Sequence, residues 1–131
     1  MSKIINGEIM SLEIIDEKNC KEIINKISEK RDIKNLILFI DEDINMMDGI
    51  SWIWCADFST LINAGKIYCC GKRNKDIFLK LKLDNLKDNI FLEYDYKRLL
   101  GNIAGESKYT KIITSNWSKE KLDGLIIDDS V

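Results

Sequence analysis

Side chains able to do chemistry crowd into one stretch of the sequence. From Asp41 to Phe58 it runs Asp-Glu-Asp-Ile-Asn-Met-Met-Asp-Gly-Ile-Ser-Trp-Ile-Trp-Cys-Ala-Asp-Phe. Asp41, Glu42 and Asp43 carry the oxygen ligands that hard cations take, but not at the spacing of a calcium loop, so they are expected to solvate a loop and no metal is expected. Trp52 and Trp54 are large amphipathic rings that either anchor a core, the simpler expectation, or stand in a binding face. Asp48-Gly49 reads as a turn or as a carboxylate presented at a loop tip. Cys55 would need a neighbouring cation to become a reactive thiolate, and the sequence contains no histidine to supply one.

The missing histidine removes whole classes of chemistry. Alone, the chain builds neither a Ser-His-Asp nor a Cys-His catalytic group, nor a His-containing zinc site. Cys20, Cys55, Cys69 and Cys70 show no C-x-x-C spacing, whereas four-cysteine zinc sites usually take two close pairs. All four are expected to be reduced and buried, with Cys69 and Cys70 on opposite faces of a strand. Nothing resembling G-x-x-x-x-G-K-[ST] occurs, so no phosphate-loop cradle and no cofactor are expected.

The 131 residues, 45% of them hydrophobic, are enough for one core and one domain, 1–131, with no room for a second catalytic unit. Lys and Arg number 20 against 22 Asp and Glu, interspersed, for a net charge of −2. That balance gives no basic footprint for a phosphate backbone, so nucleic acid is not an expected partner. Apolar runs such as Leu36 to Ile40 fall far short of the ~20 residues that span a bilayer, and no membrane insertion is expected. The start, Met1-Ser2-Lys3, lacks signal-peptide organisation, which points to the cytoplasm.

Elements able to position the Asp41–Phe58 stretch can be read on either side of it. Glu8 to Ile15 suits a strand, after which Asp16 looks like the cap of a helix carrying Cys20, Ile23, Ile24 and Ile27 at spacings of three, four and seven and ending near Arg31. Asn35 to Ile40 and Lys66 to Cys70 are short apolar runs typical of strands buried on both faces. A helix is predicted over Asn74 to Leu83, where Arg73 and Asp76 are spaced to pair. A strand over Asn89 to Glu93, a helix over Tyr94 to Ala104, a strand over Lys111 to Thr114 and a short helix over Ser118 to Leu122 follow. The chain contains no proline, so turns rest on Asp48-Gly49, Ala64-Gly65 and Asp123-Gly124. Alternating strands and helices imply a three-layer α/β domain with a mostly parallel sheet. Ligands of such sheets bind beyond the carboxyl ends of the strands, and the Asp41–Phe58 stretch leaves one of those ends.

The string Asp48-Gly49-Ile50-Ser51-Trp52-Ile53-Trp54-Cys55-Ala56-Asp57-Phe58 resembles the signature of the C-terminal domain of MurT, approximately D-G-x-D-x-S-W-[IL]-W-D-x-D-F-E. MurT is the Mur-ligase-like subunit of lipid II isoglutaminyl synthase. Gly71 to Leu81 resembles a second element of the family, G-x-R-x-x-D-x-x-x-R-L, with Arg73 and Asp76 retained and Lys80 in place of the second arginine. The resemblance extends over residues 8 to 117 and is most specific over 48 to 81. Cys55 stands where the family has an aspartate, and Ser59 where it has a glutamate.

The resemblance implies a Rossmann-like domain of the Mur ligase C-terminal type. In the family, MurT activates a carboxylate of lipid II with ATP, and its partner GatD, a glutaminase, supplies ammonia. The phosphate loop and four-cysteine zinc ribbon of MurT's central domain are absent here, so the resemblance is to the C-terminal domain alone. In that domain it implies docking of the glutaminase, with an aspartate, Asp48 here, orienting the glutaminase's histidine in trans. Ser51, Trp52, Trp54, Asp57 and Arg73 would serve the binding surface, and Asp57 and Phe58 could equally be a helix cap and a core anchor. Three readings follow. The chain is an accessory module for a GatD-like glutaminase or a Mur-type ligase chain in peptidoglycan-precursor amidation, a split subunit of that amidotransferase, or a diverged domain with another partner.

Overall fold

The computed structural model describes residues 2–5, 8–30, 32–43, 45, 51–103 and 105–129, and of residues 2–5, 8–10 and 123–129 the backbone alone. Six strands form one sheet: β1 (Ser2–Ile5), β2 (Glu8–Ile14), β3 (Asn35–Phe39), β4 (Lys66–Cys70), β5 (Ile90–Leu92) and β6 (Thr110–Thr114). Their spatial order is β1-β2-β6-β3-β4-β5. All neighbours from β2 to β5 are parallel, and only the edge strand β1 runs antiparallel, against β2. The α/β architecture with a mostly parallel sheet is the one the alternation of elements implies.

Five α-helices cover the sheet: α1 (Cys20–Ser28), α2 (Trp52–Cys55), α3 (Asn74–Leu83), α4 (Tyr96–Asn102) and α5 (Asn116–Asp129). Among the described residues, Ser59–Asn63 and Ser107–Tyr109 are 3-10 segments in the connections. On one face Ile24 and Ile27 of α1, Trp52 of α2, Phe58, and Ile77 and Leu81 of α3 pack with Leu36, Leu38, Ile67, Cys69 and Ile113. On the other, Tyr96, Leu99 and Leu100 of α4 and Leu122 of α5 pack with Leu12, Ile37, Phe39, Cys70 and Ile112. Successive strand residues point to opposite faces, which is why β3 and β6, covered on both, are buried throughout.

The central strands bury polar groups, each with a partner. Thr114 donates its hydroxyl to the Phe39 carbonyl at 2.7 Å, and Asn35 donates to Thr110 Oγ1 at 3.3 Å. Lys111, with 4% of its side chain exposed, sets its ammonium 3.1 Å from Glu13 Oε1. Lys26 of α1 reaches the same oxygen at 3.0 Å, so one carboxylate serves two ammonium groups. Gly71 closes β4 at φ +89°, and a Cβ there would lie 2.3 Å from the Ile40 carbonyl oxygen. Only glycine lets the β4–α3 turn approach the end of β3 this closely.

Several boundaries differ from those read in the sequence. Asp16 and Asn19 exchange backbone-to-side-chain bonds of 2.7 and 2.9 Å, so the turn they build moves the start of α1 to Cys20. Asp95, whose carboxylate accepts the Arg98 N–H at 3.0 Å, starts α4 at Tyr96 rather than Tyr94. α5 runs well past the predicted Ser118–Leu122. The cysteines divide: Cys69 and Cys70 are buried on opposite faces as expected, but Cys20, at the first position of α1, packs at the margin of the core and is half-buried, and Cys55 is exposed; all four are free thiols. Among the described residues no helix is long and apolar enough to cross a membrane.

Candidate functional site at the carboxyl edge of the sheet

The chain leaving β3 turns to the α2 face, whereas the chain leaving its neighbour β6 turns to the α5 face. Two adjacent parallel strands that send their connections to opposite sides open a crevice between them, the place where open α/β sheets take ligands. Here Glu42 fills it. Far from solvating a loop, Glu42 is 3% exposed. Its Oε1 accepts the Ser115 hydroxyl at 2.8 Å and the Ser118 hydroxyl in a second, shorter bond. Ser115 Oγ in turn accepts the Ser118 N–H at 3.1 Å, and Ser118 Oγ accepts the Asp41 N–H at 2.8 Å. The start of α5, with its exposed amides and positive dipole end, therefore faces a carboxylate of the chain's own.

Asp41 does the same one strand away. Half-buried, it accepts the Lys72 N–H of the β4–α3 turn on Oδ1 at 3.0 Å. Of the three acids only Asp43 lies in solvent, 2.8 Å from the Lys72 ammonium. The hydrogen bond and charge of Lys72 hold the Asp43 carboxyl below its ordinary range, and Asp43 raises the Lys72 ammonium. The described residues contain no cluster of metal-ligating side chains. At the carboxyl edge Asp41 thus takes up a turn amide before α3 and Glu42 the two serine hydroxyls at the start of α5.

The tryptophan-rich segment sits on the α1 and α3 side. Trp52 is buried in the core, whereas Trp54, two residues on in the single turn of α2, is 42% exposed. The expectation that both anchor the core therefore holds for Trp52 alone. Four helical residues cannot turn both rings inward, since positions two apart do not share a face. Ser51 and Asp57 are exposed. Asp57 Oδ1 accepts the Ser59 N–H at 3.0 Å and the Ser59 hydroxyl at 2.7 Å, which holds the Asp57 carboxyl below its usual range. Phe58 is fully buried.

The two motif regions are tied together by a residue outside both. Asp84, after α3, accepts the Phe58 N–H on Oδ2 at 2.9 Å and pairs through Oδ1 with Lys80 at 3.1 Å. Arg73 pairs with Asp76 at 3.4 Å, as their spacing allows, while its buried Nε has no hydrogen-bond partner among the described residues. Asp48, the aspartate of interest from the resemblance, lies outside the described residues. The structure adds Ser115, Ser118 and Asp84 to the residues named from sequence. Ser115 was discoverable as a serine preceding a helix-forming segment, but nothing local connects Glu42 to partners more than 70 residues away.

A search of curated proteins finds no match. A family description, MurT ligase C-terminal, matches residues 18–119. That span runs from the turn before α1 into α5 and takes in both motif regions and four of the five parallel strands, all but β2. By that match the chain belongs to the MurT ligase C-terminal family.

Proposed function

We propose that this chain is a cytoplasmic docking module of the MurT C-terminal type that holds a GatD-like glutaminase, or a Mur-type ligase chain, in peptidoglycan-precursor amidation and turns over nothing alone. Membership in the family provides the ligase context. The observation that carries the docking reading is Trp54, exposed in the family's signature segment beside a buried Trp52. An exposed tryptophan on a rigid element is the kind of anchor on which interface energy concentrates. The carboxyl-edge seats filled by Asp41 and Glu42 favour a binding role over nucleotide chemistry.

The test is co-purification of the chain with a glutaminase or Mur-type ligase encoded beside it, followed by affinity measurement. Trp54→Ala should weaken the complex about tenfold or more while leaving the isolated fold intact. Unchanged affinity would remove Trp54 from the interface. In the reconstituted complex, Asp48→Asn separates the roles: lower glutamine hydrolysis at unchanged affinity means catalysis in trans, and wild-type hydrolysis means docking alone.

A further inference from the structure

Beyond the filled crevice, the carboxyl ends of β3, β4 and β5 surround a separate cavity of about 310 Å³. Phe39, Cys70 and Tyr96 are its buried members, and Phe39 and Tyr96 meet edge to face with centroids 5.1 Å apart. Asp41, Glu93 and the exposed Tyr94 line it as well. Only 10% of the Glu93 side chain is exposed. Its Oε1 takes the Asp95 N–H at 2.9 Å and Arg98 Nη2 at 3.0 Å, and Asp41 uses Oδ1 alone. Among the described residues, the second oxygen of each carboxylate accepts no hydrogen bond.

An aromatic-walled cavity with two half-used carboxylates is chemically selective. Arg98 meets part of the charge of Glu93 at 3.0 Å, but the spare oxygen of each carboxylate and the charge of Asp41 favour a donor cation over an anion, and a neutral apolar ligand would cover acceptors without pairing them. Lys72, which also lines the cavity, has its charge met by Asp43 at 2.8 Å. A planar cation with several N–H donors satisfies both features, stacking on rings and bonding carboxylates in the plane. We propose that the cavity bounded by Asp41, Glu93, Tyr94 and Tyr96 binds a guanidinium group, carried by a small arginine-like molecule or by an arginine side chain of a bound polypeptide.

The experiment needs only the isolated chain, so its outcome is independent of the docking reading. Amide NMR spectra of the ¹⁵N-labelled chain are followed at constant ionic strength during titration with L-arginine, with a glycine-flanked, end-blocked arginine peptide, and with citrulline as the uncharged isostere. Saturable shifts at Gly71, Lys72, Glu93 and Tyr94, with a Kd of about 1 mM or tighter, are expected for at least one guanidinium compound. Citrulline should produce none. Binding of free arginine alone identifies a small-molecule source, and binding of the blocked peptide identifies a polypeptide side chain. Asp41→Asn combined with Glu93→Gln keeps shape and one acceptor at each position and should weaken binding about tenfold. Tyr94→Ala, at an exposed position, should weaken it without touching the fold. Absence of saturable shifts with both guanidinium compounds, an equal response to citrulline, or affinity unchanged in these variants overturns the proposal.

Discussion

Glu42 and Ser115 meet at 2.8 Å across 73 residues of sequence, joining the end of β3 to the start of α5. Ser118 shares the same carboxylate oxygen, so removal of one side chain takes the acceptor from two buried hydroxyl donors. Glu42→Ala should cost about 1.5–3 kcal/mol, the range for hydrogen bonds to a charged group. Glu42→Gln, which keeps an acceptor oxygen, should cost less. Urea unfolding is the check: the midpoint should fall while the slope stays constant. A midpoint unchanged in Glu42→Ala would mean that the crevice is held by other contacts.

At Glu13 the two ends of a buried pair should respond differently to mutation. Burial raises the Glu13 carboxyl, but Lys26 and Lys111 outweigh it and hold the group below its ordinary 4.5. Burial pushes the Lys111 ammonium below the ordinary lysine value against the pull of Glu13, and Lys30 adds to the downward shift. Glu13→Gln leaves Lys111 buried beside a neutral group and should lose about 3 kcal/mol, whereas Lys111→Met leaves Glu13 its Lys26 partner at 3.0 Å and should lose less. Because the native Glu13 value is depressed, its contribution is complete above 4.5 and disappears as pH falls through the native value. Stability measured down that acid range should therefore fall less steeply in Glu13→Gln than in the wild type.

Asp84 offers a test of how the motif regions are linked. Asp84→Ala loses both the Phe58 N–H and the Lys80 partner and should destabilise by about 1–3 kcal/mol. Asp84→Asn keeps an acceptor for Phe58 and should retain most of the stability if that bond matters more than the Lys80 pair. Equal losses in the two variants would assign the effect to Lys80.

The thiols should separate cleanly in alkylation. Burial pushes Cys69 up to about 12 and Cys70 further in the same direction, so neither supplies thiolate or access in the native state. Mass spectrometry after brief iodoacetamide treatment should show Cys55 modified first, Cys20 more slowly, and Cys69 and Cys70 only after unfolding. Alkylation of Cys69 or Cys70 in folded protein would contradict the packing.

Much of the fold is visible in the sequence because its strands are short apolar runs with sharp stops. Lys66–Cys70 and Asn74–Leu83 are found where the pattern puts them, with Gly71 as punctuation between. The antiparallel β1 escaped notice because a four-residue edge strand carries too little pattern. α5 reads short because Gly124 looks like a stop, yet the helix continues through it. Three consecutive acids look like solvated loop in one dimension, and only the return of the chain as β6 and α5 shows Glu42 to be enclosed. The orientation of Trp54 likewise depends on which side of a four-residue helix meets α1 and α3, which periodicity over so few residues does not decide.

The last strand of the sheet is not at its margin. β6 lies between β2 and β3, pairing Leu12 with Ile112 and Phe39 with Thr114. Until residue 114 is available, β2 and β3 each lack their inner partner, and the sheet stays in two pieces. Synthesis therefore delivers the strand that unites the sheet after the other five, when a long stretch of chain has waited with unpaired apolar strands. Contacts this distant in sequence are slow to close and leave the newborn chain open to aggregation and chaperone capture. A chain truncated before Thr110 should remain protease-sensitive, whereas one that includes β6 and α5 through Leu122 should be resistant.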